Sequence, residues 1–403
     1  MPERPVVSVV RCDALADDEV VAARLAQAAE HLGDLGRLFA GKRKVFIKSN
    51  LGIADVRLHQ GRQIALTDKA VVRATVALIR RYFGGELLIG DATTDGPCAR
   101  VYQMVGLDEA LAPYDVRQIE PNEPPYAEFK VPGQPLMFSS YLFSAELADV
   151  DAFVSVAKMK SHVSAGATLC LKNLFGLPPC PIYGRPRRYL HAPIRLPRVI
   201  ADEGQIFRPC LNVVDGLVAS DEREWHGPPV EMGVLLVGDN VLATDATAMR
   251  LMGMDPTLNY PEFPYHFDAN PVKLASDAGV GPIRAEEIDV RGESLEDLRK
   301  QFHVQRERSA DVERVRRGTA TQAQVYLEMR DELLKTSAGK LVALAGGEVI
   351  ATVDSVNELP RRAELAEKLR GSATAGIFLK RVQPPEEDGE RMDVYQAVLE
   401  GRA

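Results

Sequence analysis

The sequence predicts an α/β fold: a doubly wound, mostly parallel sheet over residues 1–305, a helical linker over 306–336, and a small C-terminal β-β-α-β domain with an acidic tail over 337–403. Three observations carry this. Short aliphatic runs alternate with segments of helical apolar spacing, the connections between them are short, and the final seventy or so residues repeat a compact strand-turn-strand pattern of their own.

Val6 to Val10 is a β-branched run and the first strand. From Asp17 to Phe39, apolar side chains at Val21, Leu25, Ala28, Leu32 and Leu35 predict one long helix with a break at Gly33. Lys44 to Leu51 is a buried strand with polar residues at its exit, and Lys48 and Asn50 alternate there on one face. Thr67-Asp68 precedes the amphipathic stretch Lys69 to Tyr82 as an N-cap. The free amides of that helix start are a seat for an anion, or simply the site of an ordinary cap. Gly85 to Ala92 is the next strand, with Asp91 at its end, and Ala99 to Leu111 the next helix. The proline-rich segment 112–148 is an excursion with extended pieces at Glu128–Val131 and Leu136–Phe143.

Asp151 to Pro179 then returns to the core. Ala152 to Ala157 is a buried-strand pattern, and Lys158, Lys160 and His162 follow on alternate residues, which places three basic side chains on one face of an extended chain. A short helix over Ala167–Phe175 puts Thr168 and Lys172, four apart, on a common face, with Asn173 beside them. A strand that turns from apolar to cationic delivers charge to the carboxyl end of a sheet, where α/β folds collect ligands. The loop at 183–191 adds Arg185, Arg187, Arg188 and His191. Strands at Leu211–Gly216 and Met232–Val237 enclose a polar loop with the single tryptophan, Trp225, and Asp245 lies in the first turn of a helix over Ala243–Met252. A strand over Ile288–Val290 and the charged helical stretch from Ser294 to Thr336 lead to a hairpin around Gly346-Gly347, a helix over Asn357–Arg370, a strand over Ala375–Val382 and a loosely held tail from Gln383.

The bulk numbers narrow the function classes. The 403 residues are 46% hydrophobic and carry a net charge of −8, so the chain buries a sizeable core and lacks the basic excess of a general nucleic-acid binder. Cys12, Cys98, Cys170, Cys180 and Cys210 are scattered without a C-x-x-C pair, as expected of reduced thiols in a cytoplasmic protein without an iron–sulfur cluster. No signal peptide or membrane span is expected, since no run approaches eighteen apolar residues.

KSN at 48–50, KMKSH at 158–162, TLCLKNLFG at 168–176, NVVDG at 212–216, Gly227-Pro228 and DNVLATDATAMRLMG at 239–253 together resemble the bacterial and archaeal family named domain of unknown function 362, over about residues 5–305. The family has Pro at the position of Ser49 and Thr at that of Ser161, and some members carry a ferredoxin-like module for which this chain has no cysteine pattern. Residues from about 325 to 382 resemble domain of unknown function 5678. The first resemblance strengthens the site assignment but implies no reaction.

The expected partner is a small carboxylated or phosphorylated molecule, in a protein that is able to form homo-oligomers. Lys48, Asn50, Thr67, Lys158, Thr168, Asn173, Arg185, Arg188 and His191 are the binding candidates, and Lys160, His162 and Lys172 the catalytic ones. Clustered lysines depress one another's pKa, which makes a base or nucleophile near neutral pH available. Asp91, Asp215 and Asp245 either orient the lysines or hold a divalent cation. Two other readings stand beside this one. The Lys–His layout is loosely similar to the nickel-pincer lactate racemases, through His59, His162 and His191, and the chain also suits a non-catalytic scaffold whose tail domain is the interaction module.

Overall fold

In the computed structural model, which describes residues 4–360, 364 and 376–402, the apolar runs become one nine-stranded sheet. From one edge the order is Asp289–Gly292, Val6–Arg11, Pro229–Gly238, Leu211–Ser220, Ala152–His162, Lys44–Ser49, Glu86–Gly90 and Arg117–Gln118, with Gly166–Thr168 folded back antiparallel on Ala152–His162. The last five strands of that path run parallel, and antiparallel pairing is confined to Pro229–Gly238 on its two neighbours and to the Gly166–Thr168 return. Neighbours alternate in register: Val45, Ile47, Val154 and Val156 bury into one layer with helices Asp18–Glu30 and Lys69–Arg80, while Phe46, Ala157 and Met159 bury into the other with helices Arg195–Phe207 and Val241–Leu251. This is the doubly wound α/β arrangement, and it brings the carboxyl ends of Lys44–Ser49, Glu86–Gly90 and Ala152–His162 side by side.

Several local expectations change. The Asp17–Phe39 helix breaks at Gly33, whose φ of 79° ends Asp18–Glu30 before a separate turn Gly36–Phe39. Ala99–Leu111 is two helices, Cys98–Met104 and Leu107–Leu111, divided at Gly106 with φ 67°. The 112–148 excursion forms its own two-stranded sheet, Tyr126–Lys130 on Ser140–Ser144. Helix Arg195–Phe207 was not anticipated, although Leu196, Val199, Ile200 and Phe207 have helical spacing and are buried. The Lys69–Arg80 helix start offers no seat for an outside anion. Asp68 accepts from Ala70 N, and Asp215 accepts from Asp68 N, so two protein carboxylates already occupy it.

At the C-terminus, Leu341–Ala345 lies between Glu348–Val353 and Phe378–Arg381 in a three-stranded antiparallel sheet, turned at Gly346 and Gly347, both with positive φ. The helix expected at Asn357–Arg370 falls mostly outside the described residues. Helix Ser309–Ser337 buries Ala320, Ala323 and Tyr326 in the same apolar cluster as Met159, Leu171 and Phe378. The acidic tail is not loosely held. It runs into helix Asp393–Leu399, and its Glu390 accepts from Arg195 Nε at 2.7 Å and from Lys380 Nζ at 2.7 Å, all three side chains being buried. Arg195 also donates to Tyr189 O at 3.0 Å and lies 4.4 Å from the Tyr189 ring centroid.

A buried ion network of this kind is costly to break from one side. Arg195→Met leaves Glu390 short of a donor and is expected to lower unfolding free energy by about 3–5 kcal/mol in urea titrations. A change under about 1 kcal/mol would mean that the network does not fasten the tail.

Candidate functional site

The strand Ala152–His162 persists through all three basic residues, and Lys160 and His162 reach the carboxyl edge of the sheet. There they meet Lys48, Asn50 and Asp91 from the two adjacent strand ends, and Thr168, Lys172 and Asn173 from the segment that folds back. Arg187 and His191 close one side and Glu224 and Trp225 the other, around a recess of about 280 Å³. Helix formation in the returning segment is limited to Cys170–Asn173, so Thr168 sits on the short strand Gly166–Thr168 rather than on a helix face with Lys172. Both residues still line the recess.

Three of its cations are held by the protein. Lys48 Nζ donates to Asp91 Oδ2 at 2.7 Å, Ser49 O at 2.6 Å and Asn173 Oδ1 at 3.2 Å, which uses all its protons. Asn173 Nδ2 returns to Lys48 O at 2.9 Å, and Asn50 Nδ2 donates to the same Asn173 Oδ1 at 3.2 Å. Lys160 Nζ donates to Asn50 Oδ1 at 3.0 Å and Ala65 O at 2.8 Å and lies 4.1 Å from the Trp225 ring centroid. Arg187 donates to the carbonyls of Pro178, Ala92 and Gly176. Gly176 permits this packing: a Cβ there would come within 2.6 Å of Lys48 Nζ and 2.7 Å of Asp91 Oδ1.

Lys172 differs. Its ammonium lies 4.5 Å from the Phe175 ring centroid, and no acceptor among the described residues is within hydrogen-bond reach of it. Burial lowers its pKa to about 8, with Arg187 and Lys48 adding to the effect against Glu224 and Glu203. Lys160 falls further, to about 7, through burial and the charges of Lys172 and Lys158 against Glu224.

His162 is not arranged as a base. Its Nδ1 accepts from Ser164 N at 3.1 Å and Ala165 N at 3.2 Å, which leaves the proton on Nε2, facing Glu224 Oε1 at 3.7 Å. Burial and the neighbouring Lys172 push its pKa down to about 3, so the ring is a neutral hydrogen-bond donor. Burial likewise brings His191 to about 4. For Glu224 burial opposes ionisation, but His162, local amides and Lys172 outweigh it and hold the pKa down to about 2.

Other predicted residues lie off the recess. Lys158 points into the sheet layer and pairs with Asp215 at 2.9 Å, both side chains fully buried. Thr67 joins strands, its hydroxyl donating to Val156 O and accepting from Asn50 N. Arg185 is exposed and donates to Thr94 O, and Arg188 donates to Leu359 O and Pro360 O of the C-terminal segment. Asp245 caps from a distance, accepting from Cys170 N and Leu171 N at 2.8 Å each, and so anchors the turn that carries Lys172. Asp91, Asp215 and Asp245 therefore do not converge, and no group of three or more His, Cys, Asp or Glu among the described residues is placed to hold a metal. His162 and His191 share the recess with ring centroids 6.3 Å apart, whereas His59 bonds Glu231 elsewhere. A wider groove of about 710 Å³ near Arg250 and Arg299 contains none of the buried polar atoms left without partners.

Sequence reasoning assigned no role to Glu224, Phe175 or Glu203. Glu203, on helix Arg195–Phe207, is buried with neither carboxylate oxygen partnered among the described residues, and burial raises its pKa to about 8. The signal for it was present: Glu203 follows Leu196, Val199 and Ile200 on their own apolar stripe.

The contrast between the lysines has a measurable consequence. Lys48→Met strands Asp91 in the interior and is expected to cost about 3–5 kcal/mol. Lys172→Met removes a half-buried cation that has no hydrogen-bond acceptor among the described residues, and the urea midpoint is expected to hold or rise. A K172M loss equal to that of K48M would show a hidden structural role.

Over 240 residues the chain is 27% identical to a thylakoid-associated protein of Synechocystis sp., covering 58% of this chain and 70% of that protein. A crystal structure of a Thermotoga maritima protein aligns at a TM-score of 0.34 and 14% identity, over 55% of each chain. The family described as domain of unknown function 362 matches residues 45–250, just over half of the chain, from the strand bearing Lys48 to the helix bearing Asp245. The chain therefore belongs to the family domain of unknown function 362.

Proposed function

We propose that the recess binds a small anionic molecule, carboxylated or phosphorylated, and that the protein acts on it as an enzyme through lysine chemistry. The observation that carries this is Lys172: a half-buried ammonium with no acceptor among the described residues, at the wall of a recess of about 280 Å³. A partly desolvated charge without an acceptor is disfavoured, and an anionic ligand supplies the missing partner. The Thr168 hydroxyl and the Nε2–H of His162 are further donors at the recess, while Lys48, Asn50 and Asn173 hold its floor in shape. Lys160, with a pKa of about 7, is the residue suited to exchange a proton near neutral pH.

The same reading assigns residues 1–305 to the ligand-binding unit, 306–336 to a connecting helix, and 337–403 to a small domain like domain of unknown function 5678 that buttresses the recess loop. It places the protein in the cytoplasm, in keeping with five cysteines that form no disulfide. No helix among the described residues is long and apolar enough to cross a membrane.

The electrostatics set a pH dependence. Lys160 and Lys172 lose their charge as pH rises through about 7 and about 8, and Glu203 gains a negative charge through about 8, so all three changes weaken anion binding in the same direction. Glu224, His162 and His191, at about 2, 3 and 4, do not titrate in that window. Sulfate, whose own charge is constant there, is expected to bind about tenfold more weakly at pH 9 than at pH 6 by calorimetry. Lys172→Met should bind it poorly at both values. Affinity that rises with pH, or a variant that binds as the wild type does, would overturn the reading.

A further inference from the structure

The four side-chain amines at these strand ends are not equivalent as nucleophiles. Lys48 has all three protons committed to Asp91, Ser49 and Asn173, and Lys158 is enclosed with Asp215 inside the sheet. Lys160 is tied to Asn50 and Ala65 beneath the indole of Trp225. Lys172 alone among these four has no acceptor in the described residues, and it lies against the face of Phe175 at the recess wall. An amine that is free of hydrogen-bond acceptors and partly desolvated beside other cations is a setting in which lysine attacks a carbonyl. The recess also provides a neutral donor, His162 Nε2–H, fixed in that role by the two amides on Nδ1.

We propose that Lys172 forms a Schiff base with a small carbonyl-bearing acid, an aldehyde acid or 2-oxo acid, whose carboxylate is held by the remaining charge of the recess. This rests on the anion-binding reading above and names the substrate class within it. In the step, the Lys172 nitrogen adds to the carbonyl carbon, and the carbonyl oxygen leaves as water with two protons that began on the ammonium. The product is a protonated imine that keeps the single positive charge. His162 holds the departing oxygen by a hydrogen bond and gives up no proton of its own. Burial favours the first event, since a pKa near 8 leaves on the order of 100-fold more free amine at neutral pH than an exposed lysine has.

Glyoxylate and pyruvate are the probes, with sodium cyanoborohydride as the trap, and intact-mass and peptide mapping as the readout on the full chain. The expected result is one reduced adduct per chain, on Lys172, formed at least about tenfold faster than on any surface lysine, and slowed by sulfate or succinate. Lys172→Arg retains a cation but no nucleophile. It is expected to bind sulfate and to give no adduct at the recess. Labelling that spreads over surface lysines, falls on Lys160, or persists in K172R overturns the proposal. If sulfate binds in a Lys172-dependent manner while no adduct forms, the Schiff base is wrong and anion binding stands. If neither adduct nor sulfate binding is seen, both fail.

Discussion

An ammonium group taken out of water must be met by an acceptor, and the centre of this protein is organised by that requirement. Lys158 answers it with Asp215 and Lys48 with Asp91, in pairs whose side chains are at most 1% exposed. Lys160 uses an asparagine, a carbonyl and an indole. Each solution constrains the next residue along. Asp215 also receives the amide of Asp68, which positions the helix behind the sheet, and Asn173 joins Lys48 to Asn50 across two chain segments. Lys172 is left with no acceptor within hydrogen-bond reach among the described residues, and this last cation faces the recess. Stability alone gives no reason to keep a lysine there, which is why its presence points outward to a ligand.

The walls of the recess depend on parts of the chain remote from the strands. Arg187 ties its loop to the carbonyls of Ala92, Gly176 and Pro178, so the loop is sewn to the same floor that holds Lys48. Behind it, Arg188 reaches Leu359 and Pro360, and Asn357 donates to Pro181 O, so the small C-terminal sheet presses on the loop from outside. Arg195, Glu390 and Lys380 close that arrangement from within. Among the described residues, those of the C-terminal part pack on the loop that borders the recess without lining it.

Much of this was legible in the chain itself. Alternating apolar and cationic residues identified the strand from Ala152 to His162 and the face carrying Lys160 and His162, because period-two geometry leaves little choice. Lys48 and Asn50 followed from the same rule one strand away. What alternation does not reveal is where a strand end stops being interior: Lys158 shares the face of Lys160 yet lies one pleat deeper, where only Asp215, distant in sequence, decides its environment. Of the two roles open to the acids, Asp91 and Asp215 take the first, orienting Lys48 and Lys158. Asp245 caps a turn more than seventy residues away, and no local pattern announces a partner across that separation. Histidine tautomers are equally invisible in sequence, since the donor role of His162 is set by two amides of the turn after it. Glu203 is the instructive omission, because a carboxylate on an apolar helical stripe was visible and was not read.

The central claim concerns the charge and availability of one side chain, and lysine-labelled protein examined by heteronuclear NMR reports both. With the Lys172 resonance assigned by its loss in K172R, the account predicts a titration midpoint near 8 in anion-free buffer, moving upward when sulfate is added. A midpoint near the ordinary 10.5, indifferent to sulfate, would contradict it.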